Sequence, residues 1–507
     1  MGISKRFSLA SAAFALAISA FASDPALSAD LIRIVSPYRT TTLDPMRSAS
    51  AGNIETYGQI YARLLRRDPE SGALQPGLAE RWEISDDGRV YTFHLRDAQF
   101  SNGTQITADD VVFSLSRIHG DKQSAYPAPL EAMDTIVAKD PKTVVITLKS
   151  AFAPFLDNLE IWNMGIVSKA DVDARGVEKA FADMPVTSGP YKVKEWKPNE
   201  MLVIEPNPHY WRTGYPKSDA TVELRKVTSP ETRIAMLKAG EAEVVRSVPW
   251  TQIADLKATK GIDMRLEPST TIYMTLLDHK REPFSNLKAR QAAAEALDSK
   301  AIAKAVTLGN AQVANTTLPM IDFHDNDYPG IPYDPVKAKA LLQESGMMGH
   351  EVKILAMSGP TEQVALLLQA QWQAIGLKPT IVNVDVGAWW DAIGKGDYDA
   401  TPSSWYNETT DPDLAVRWAV CGTCGSNSYS TYYNNPKVND LVEQGTRETD
   451  PVKRAAIYKE IQKISTEEVS QIPLFYAPNT NAYSTKLKGM KLTSALQWTL
   501  EDATITK

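Results

Sequence analysis

Tyr91, Phe93 and Leu95 alternate with Thr92, His94 and Arg96, and Val144, Ile146 and Leu148 repeat the same period of two, so both segments are predicted as half-buried strands. Leu31-Ile32-Arg33-Ile34-Val35 reads as a further strand near the start of the mature chain. Helical periods are equally legible. Thr107 with Asp110 forms a capping-box pattern ahead of Val111, Leu115 and Ile118. Asp334-Pro335 and Asp450-Pro451 each put a capping carboxylate before a proline in the first turn, and the second leads to Ile457, Ile461 and Ile464 on one face. Between Pro360 and Gly376, Val364, Leu367, Leu368, Trp372 and Ile375 make one apolar stripe, after which Val382, Val384 and Val386 alternate as a strand. Strands and helices follow one another without a repeat or a low-complexity tract, the pattern of a mixed α/β protein.

The length, 507 residues with 43% apolar and 23% charged positions, suits two to four domains and leaves room for a cleft between lobes. A formal charge of −7 supplies no overall positive field for nucleic acid or an acidic membrane. The first thirty residues read as an export signal: Lys5 and Arg6 precede a charge-free run from Phe7 to Ser23, and small residues follow. Cleavage is expected after Ala29, with Ala22 the alternative. No cysteine lies nearby to accept a lipid, so a free periplasmic protein without a lipid anchor is expected. Export also frames Cys421-Gly422-Thr423-Cys424. In an oxidising compartment a local disulfide between Cys421 and Cys424 is the best reading, because two thiolates alone do not complete a zinc shell. Six dispersed histidines suggest no metal site, and no cofactor motif stands out. Hydrolase signatures are missing too. There is no G-x-S-x-G or H-E-x-x-H, and the one S-x-x-K, Ser285 to Lys288, lacks its partner motifs. The chain is expected not to be an enzyme.

Several ordered blocks resemble the extracellular solute-binding proteins that serve peptide, opine and nickel ABC importers. The most specific is Leu78-Ala79-Glu80-Arg81-Trp82 with Asp87-Gly88, the Tyr91 to Arg96 segment, Asn102-Gly103 and Thr107-Ala108-Asp109-Asp110-Val111. Ser188-Gly189-Pro190-Tyr191, Tyr210-Trp211, Lys238-Ala239-Gly240-Glu241, Tyr333-Asp334-Pro335 and Asp397-Tyr398-Asp399 continue in family order. The resemblance implies a two-lobed periplasmic binding fold of the Venus-flytrap kind, with an extra subdomain in the first lobe. It places lobe I at about 30–270 plus 481–507, with the subdomain at about 60–190, and lobe II at about 271–480. Ser269 to Asp278 and Leu474 to Ser484 are the expected hinges. The implied function is capture of a small solute, a short peptide or opine-like compound, by a monomer that hands it to permease subunits of the importer in the inner membrane. An oligosaccharide or metal chelate is the alternative cargo, and a periplasmic chaperone the alternative role.

The loop Trp405-Tyr406-Asn407-Glu408-Thr409-Thr410-Asp411-Pro412-Asp413 combines aromatic, amide and carboxylate groups after a predicted strand, so Trp405, Tyr406 and Asn407 are candidate ligand contacts. Asp411-Pro412-Asp413 matches the element whose aspartates, in peptide-binding relatives, anchor the ligand's amino group. The same run would cap a helix beginning at Leu414, and both readings stand. Those relatives place an arginine for the ligand carboxylate near Ser358-Gly359-Pro360, where this chain has no positive charge; Arg417 is the candidate substitute. Trp162 is a candidate stacking surface, with Trp389 and Trp390 beside Trp405 as further ones.

Overall fold

The computed structural model describes residues 30–493 and 498–506; the segment read as an export signal lies outside the described residues. The apolar run at the start of the mature chain forms strand Leu31–Ser36, which pairs in parallel with Thr221–Lys226 on one side and Val244–Val245 on the other. Ile32, Ile34 and Val35 of this strand are buried. Around it grows an eleven-stranded sheet. From one edge it runs Lys378–Asn383, Glu351–Ala356, Ala400–Trp405, Ile262–Leu277, Ile472–Ser484, Val244–Val245, Leu31–Ser36, Thr221–Lys226, Met201–Pro206 and Tyr191–Lys197, with the short Gln312–Val313 paired to Ile472–Ser484.

Two strands in the middle of that order are far longer than the rest. Ile262–Leu277 and Ile472–Ser484 pair antiparallel from Ile262 opposite Ser484 to Thr275 opposite Ile472. The N-terminal strands hydrogen-bond to one end of this pair, and the parallel strands Glu351–Ala356 and Lys378–Asn383, reached through Ala400–Trp405, lie at the other. The two halves of the sheet carry separate cores. One gathers Ile32, Ile34, Tyr57, Tyr191, Ile204 and Val222; the other gathers Ile302, Ile354, Val364, Leu368, Trp372 and Leu474.

The alternation at Tyr91 and Val144 gives Val90–Leu95 and Thr143–Leu148, neighbours in a separate four-stranded antiparallel sheet with Ala79–Ile84 and Met133–Asp140 outermost. Its apolar face packs on Val111, Leu115 and Ile118 of helix Ala108–Gly120. That helix begins with the capping box read from sequence, in which the Asp110 carboxylate accepts the Thr107 backbone N–H at 2.9 Å. Asp334 and Asp450 likewise cap helices Pro335–Glu344 and Pro451–Glu467. Trp82 and Trp211 pack against the core of the small sheet, and Trp196 against that of the N-terminal half.

One expected strand ends early. The alternation Val382, Val384, Val386 is strand only to Asn383, because the Asp385 carboxylate accepts the Ala388 N–H and starts helix Val386–Lys395, leaving Val386 61% exposed in its first turn. An Asx cap here outweighs a short period-two pattern.

Helix Pro360–Ile375 turns its predicted stripe onto the sheet, and Trp372 is fully buried against Phe284 with its indole N–H donated to the Ala293 carbonyl at 2.9 Å. Trp372→Ala is therefore expected to cost about 3–5 kcal/mol, the range for truncating a buried aromatic. Denaturant unfolding should show this as a lower midpoint with the slope unchanged.

Candidate functional site

The ladder between the two long strands is interrupted between the Glu267 and Thr271 pairings, where Pro268 on one strand and Pro478 on the other withhold backbone donors. Side-chain hydrogen bonds surround the gap. Asn479 donates to the Pro268 carbonyl at 2.9 Å, Asn481 donates to Glu267 at 2.8 Å, and Thr480 donates to the Val248 carbonyl at 2.8 Å. Beside this break a cleft of about 960 Å³ opens between the two halves of the sheet. Tyr38, Glu55, Arg246 and Trp250 wall it from the N-terminal half. Gly359, Pro360, Gln363, Ser404, Trp405 and Tyr406 wall it from the other, with Thr271, Tyr273 and Asn479 on the long strands.

The wall mixes aromatic, amide, hydroxyl and aliphatic side chains with prolines, and among the described residues it carries two charges. Glu55, on helix Ala51–Ile60, and Arg246, just after strand Val244–Val245, form an ion pair in which each side chain is more than nine-tenths buried. Burial raises the Glu55 carboxyl above its ordinary range against the opposing pull of Arg246. Glu408, also pushed up by burial, lies close enough to Tyr406 to act on it, and the Tyr126 hydroxyl hydrogen-bonds to it.

Of the residues singled out from sequence, Trp405 and Tyr406 reach the cleft. Asn407 does not line it. Its amide is buried and donates to the carbonyls of Thr409 (2.8 Å) and Asp411 (3.0 Å), shaping the loop from within. Asp411 is salt-bridged by both terminal nitrogens of Arg454 and also accepts the Asp413 N–H at 2.9 Å, at the start of helix Asp413–Ala419. Asp413 is fully buried and accepts from Thr446. Arg417 pairs with Glu131 and, at 2.9 Å, with Glu443. This segment thus turns away from the cleft and docks on the small-sheet region, where Leu414 joins its core and the Ala153 N–H donates to the Thr446 carbonyl at 2.8 Å. Trp162 is packed so tightly against helix Ala51–Ile60 that a Cβ at Gly58 would lie 2.2 Å from its ring. Trp389 is buried and donates to Thr401, while Trp390 is exposed on the outer surface. Cys421 and Cys424 are disulfide-bonded with Cα atoms 5.4 Å apart, at the end of helix Asp413–Ala419.

Sequence reasoning missed Tyr38, Glu55, Arg246, Trp250 and Tyr273. Arg246 carries one linear signal: a lone arginine inside Val244-Val245-Arg246-Ser247-Val248 must be paired if that run is buried. The others are brought together only by the fold.

The same architecture recurs in known proteins. The model of the bacterial extracellular solute-binding proteins, family 5 Middle, matches residues 73–427. The chain belongs to that family. The glutathione-binding protein GsiB of Shigella dysenteriae serotype 1 is 30% identical over 481 residues, covering 91% of this chain and 92% of GsiB. Among solved structures, the dipeptide-binding protein of Pseudoalteromonas sp. SM9913 in complex with Met-Leu superposes with a TM-score of 0.84 at 25% identity, covering 94% of this chain and all of that one. The binding protein AgaA of A. tumefaciens R10, in complex with agropinic acid, gives a TM-score of 0.81 at 26% identity, covering 94% and 99%. This family 5 protein is accordingly a solute-binding protein, and the family consists of binding proteins rather than enzymes. Among its described residues no helix is long and apolar enough to cross a membrane, and no group of three or more His, Cys, Asp or Glu side chains is placed to hold a metal ion.

Asp413 gives the family 5 protein a pH-dependent element outside the cleft. Burial pushes its carboxyl from 3.8 up to about 7, outweighing Arg417, whose Nε is 3.9 Å away, and Asp411 adds to the rise. A raised carboxyl binds more protons folded than unfolded, so its contribution to stability is full below about pH 4 and is lost as pH rises through about 7. Asp413→Asn, which stays neutral, should remove that part of the pH slope. Thermal unfolding of both proteins from pH 4 to 8 checks this, and identical slopes would refute it. The disulfide closes only a four-residue loop, so replacing both Cys421 and Cys424 by Ser should cost about 1–2 kcal/mol or less. Chemical denaturation of the two forms measures the difference.

Proposed function

We propose that this protein is the periplasmic substrate-binding subunit of an ABC importer and that it carries a short peptide or an opine-like amino-acid derivative in the cleft beside the two long strands. The observation that carries the reading is the cleft itself: about 960 Å³, walled from both halves of the sheet and furnished with aromatic faces, amides and one ion pair. That size suits a small ligand held in a largely enclosed site. The ligands named for the relatives, glutathione, Met-Leu and agropinic acid, are all amino-acid-derived and of this order of size.

In this reading lobe I comprises about 30–270 and 481–507 and lobe II about 271–480, joined where the ladder breaks at Pro268 and Pro478. Bending there changes few backbone hydrogen bonds. A ligand touching Arg246 from one lobe and Trp405 from the other binds the closed form more tightly than the open one and shifts the population towards closure. Closure presents a surface that the permease can recognise, and the monomer needs no second copy to complete its cleft.

Mass spectrometry of small molecules released by denaturing the purified protein should find a peptide or amino-acid conjugate; a sugar would overturn the cargo reading. A saturating ligand should compact the protein in solution scattering. It should also raise stability by RT ln(1 + [L]/Kd), about 2.7 kcal/mol at a hundredfold excess over Kd. Tight binding with an unchanged scattering profile would rule out lobe closure.

A further inference from the structure

The cleft's charge is balanced at a single point. Among the described side chains that line it, only Glu55 and Arg246 are charged, and they are paired with each other. Arg246 has five N–H donors, of which one carboxylate engages two at most, and the Glu55 carboxylate, hydrogen-bonded by Arg246 and Trp498, keeps acceptor capacity beyond those two bonds. Glu55 is the ion-pair partner of Arg246 among the described residues. The Tyr38 and Trp498 rings flank the guanidinium with centroids 5.9 and 6.0 Å from its central carbon. Gly359, Pro360, Gln363 and Ser404 across the cleft bring no charge to the opposite wall.

This arrangement restricts the electrostatics of any occupant. A ligand group carrying one charge of either sign would compete for one member of the pair and leave the other buried without compensation, a costly state. A group with both charges side by side avoids that cost, because its carboxylate meets the open edge of Arg246 while its ammonium meets Glu55, and the four charges alternate. Two charges on one carbon match the spacing of a contact ion pair; the termini of an extended dipeptide do not.

We infer that the Glu55–Arg246 pair is the receptor for an α-amino-acid head group, an ammonium and a carboxylate on the same carbon, so that the cargo class is compounds with such a free head, as in γ-linked peptides and side-chain conjugates of amino acids. This rests on the reading of the cleft as the ligand site and narrows it. The aromatic walls of Trp250, Tyr273 and Trp405 then take the remainder of the ligand.

Native mass spectrometry and calorimetry on the purified full-length protein, unfolded and refolded to remove bound molecules, test the assignment with glutathione, γ-glutamylleucine, their N-acetyl forms and Met-Leu. The expected result is retention of the two γ-glutamyl compounds about tenfold or more over their acetylated forms and over Met-Leu. In the double variant E55Q/R246Q, which removes both charges and leaves none stranded, that preference should collapse while the thermal transition persists. Equal retention of free and acetylated heads by the wild type overturns the inference, as does an undiminished preference in the double variant. Tight retention of Met-Leu without the γ-glutamyl compounds overturns it and leaves the peptide-carrier reading standing. Retention of none of the five overturns both.

Discussion

The antiparallel pairing of Ile262–Leu277 with Ile472–Ser484 is the constraint on which the rest of the molecule depends. These strands are the middle of the large sheet and lie in both of its halves, so the two cores are tied through one ladder while each is closed by its own helices. A continuous ladder of this length would be stiff. The interruption at Pro268 and Pro478 removes main-chain hydrogen bonds where the halves meet, and the Asn479 side chain spans it with a bond to the Pro268 carbonyl. The cleft lies beside the place where the two strands cannot pair with each other.

The charges of the molecule divide by the job they do. The Asp411–Arg454 pair, with Asp413, Arg417 and Thr446 around it, is buried at the junction between the C-terminal half and the small-sheet region, where its hydrogen bonds are internal. Such a network specifies how the segments meet more than it adds net stability, since desolvation offsets most of the attraction. Glu55 and Arg246 are equally buried but face a void instead of a packed junction. An ion pair beside a cavity has donors and acceptors left over, which is the physical difference between a structural pair and a receptor.

The loop after Ala400–Trp405 shows how adjacent residues take different roles. Trp405 and Tyr406 leave the strand end towards the cleft, whereas Asn407 turns the chain by donating to Thr409 and Asp411, and Asp411 and Asp413 beyond it are engaged by Arg454 and Thr446 instead of lining the cleft. The disulfide between Cys421 and Cys424 then closes the short turn after the following helix. One buried amide thus separates the side chains of a polar loop that line the cleft from those that do not.

What the sequence by itself determined were the features set by local chemistry: the alternation that made Val90–Leu95 and Thr143–Leu148 strands, the carboxylate caps of Asp110, Asp334 and Asp450, the stripe of Pro360–Ile375, and the ordered motifs that marked the family. Each depends on neighbours within a few positions, so a linear reading suffices. The same reading offered Trp405, Tyr406, Asn407, Asp411, Asp413, Arg417 and Trp162 as ligand contacts, of which Trp405 and Tyr406 line the cleft. It was silent on Glu55 and Arg246, 191 positions apart, and it offered Asp411 as a ligand anchor or a helix cap without foreseeing Arg454, the partner 43 positions away. Those outcomes belong to the tertiary structure. A charge's role is fixed by the partner that burial brings to it, and no local pattern encodes which distant strand or helix will supply that partner.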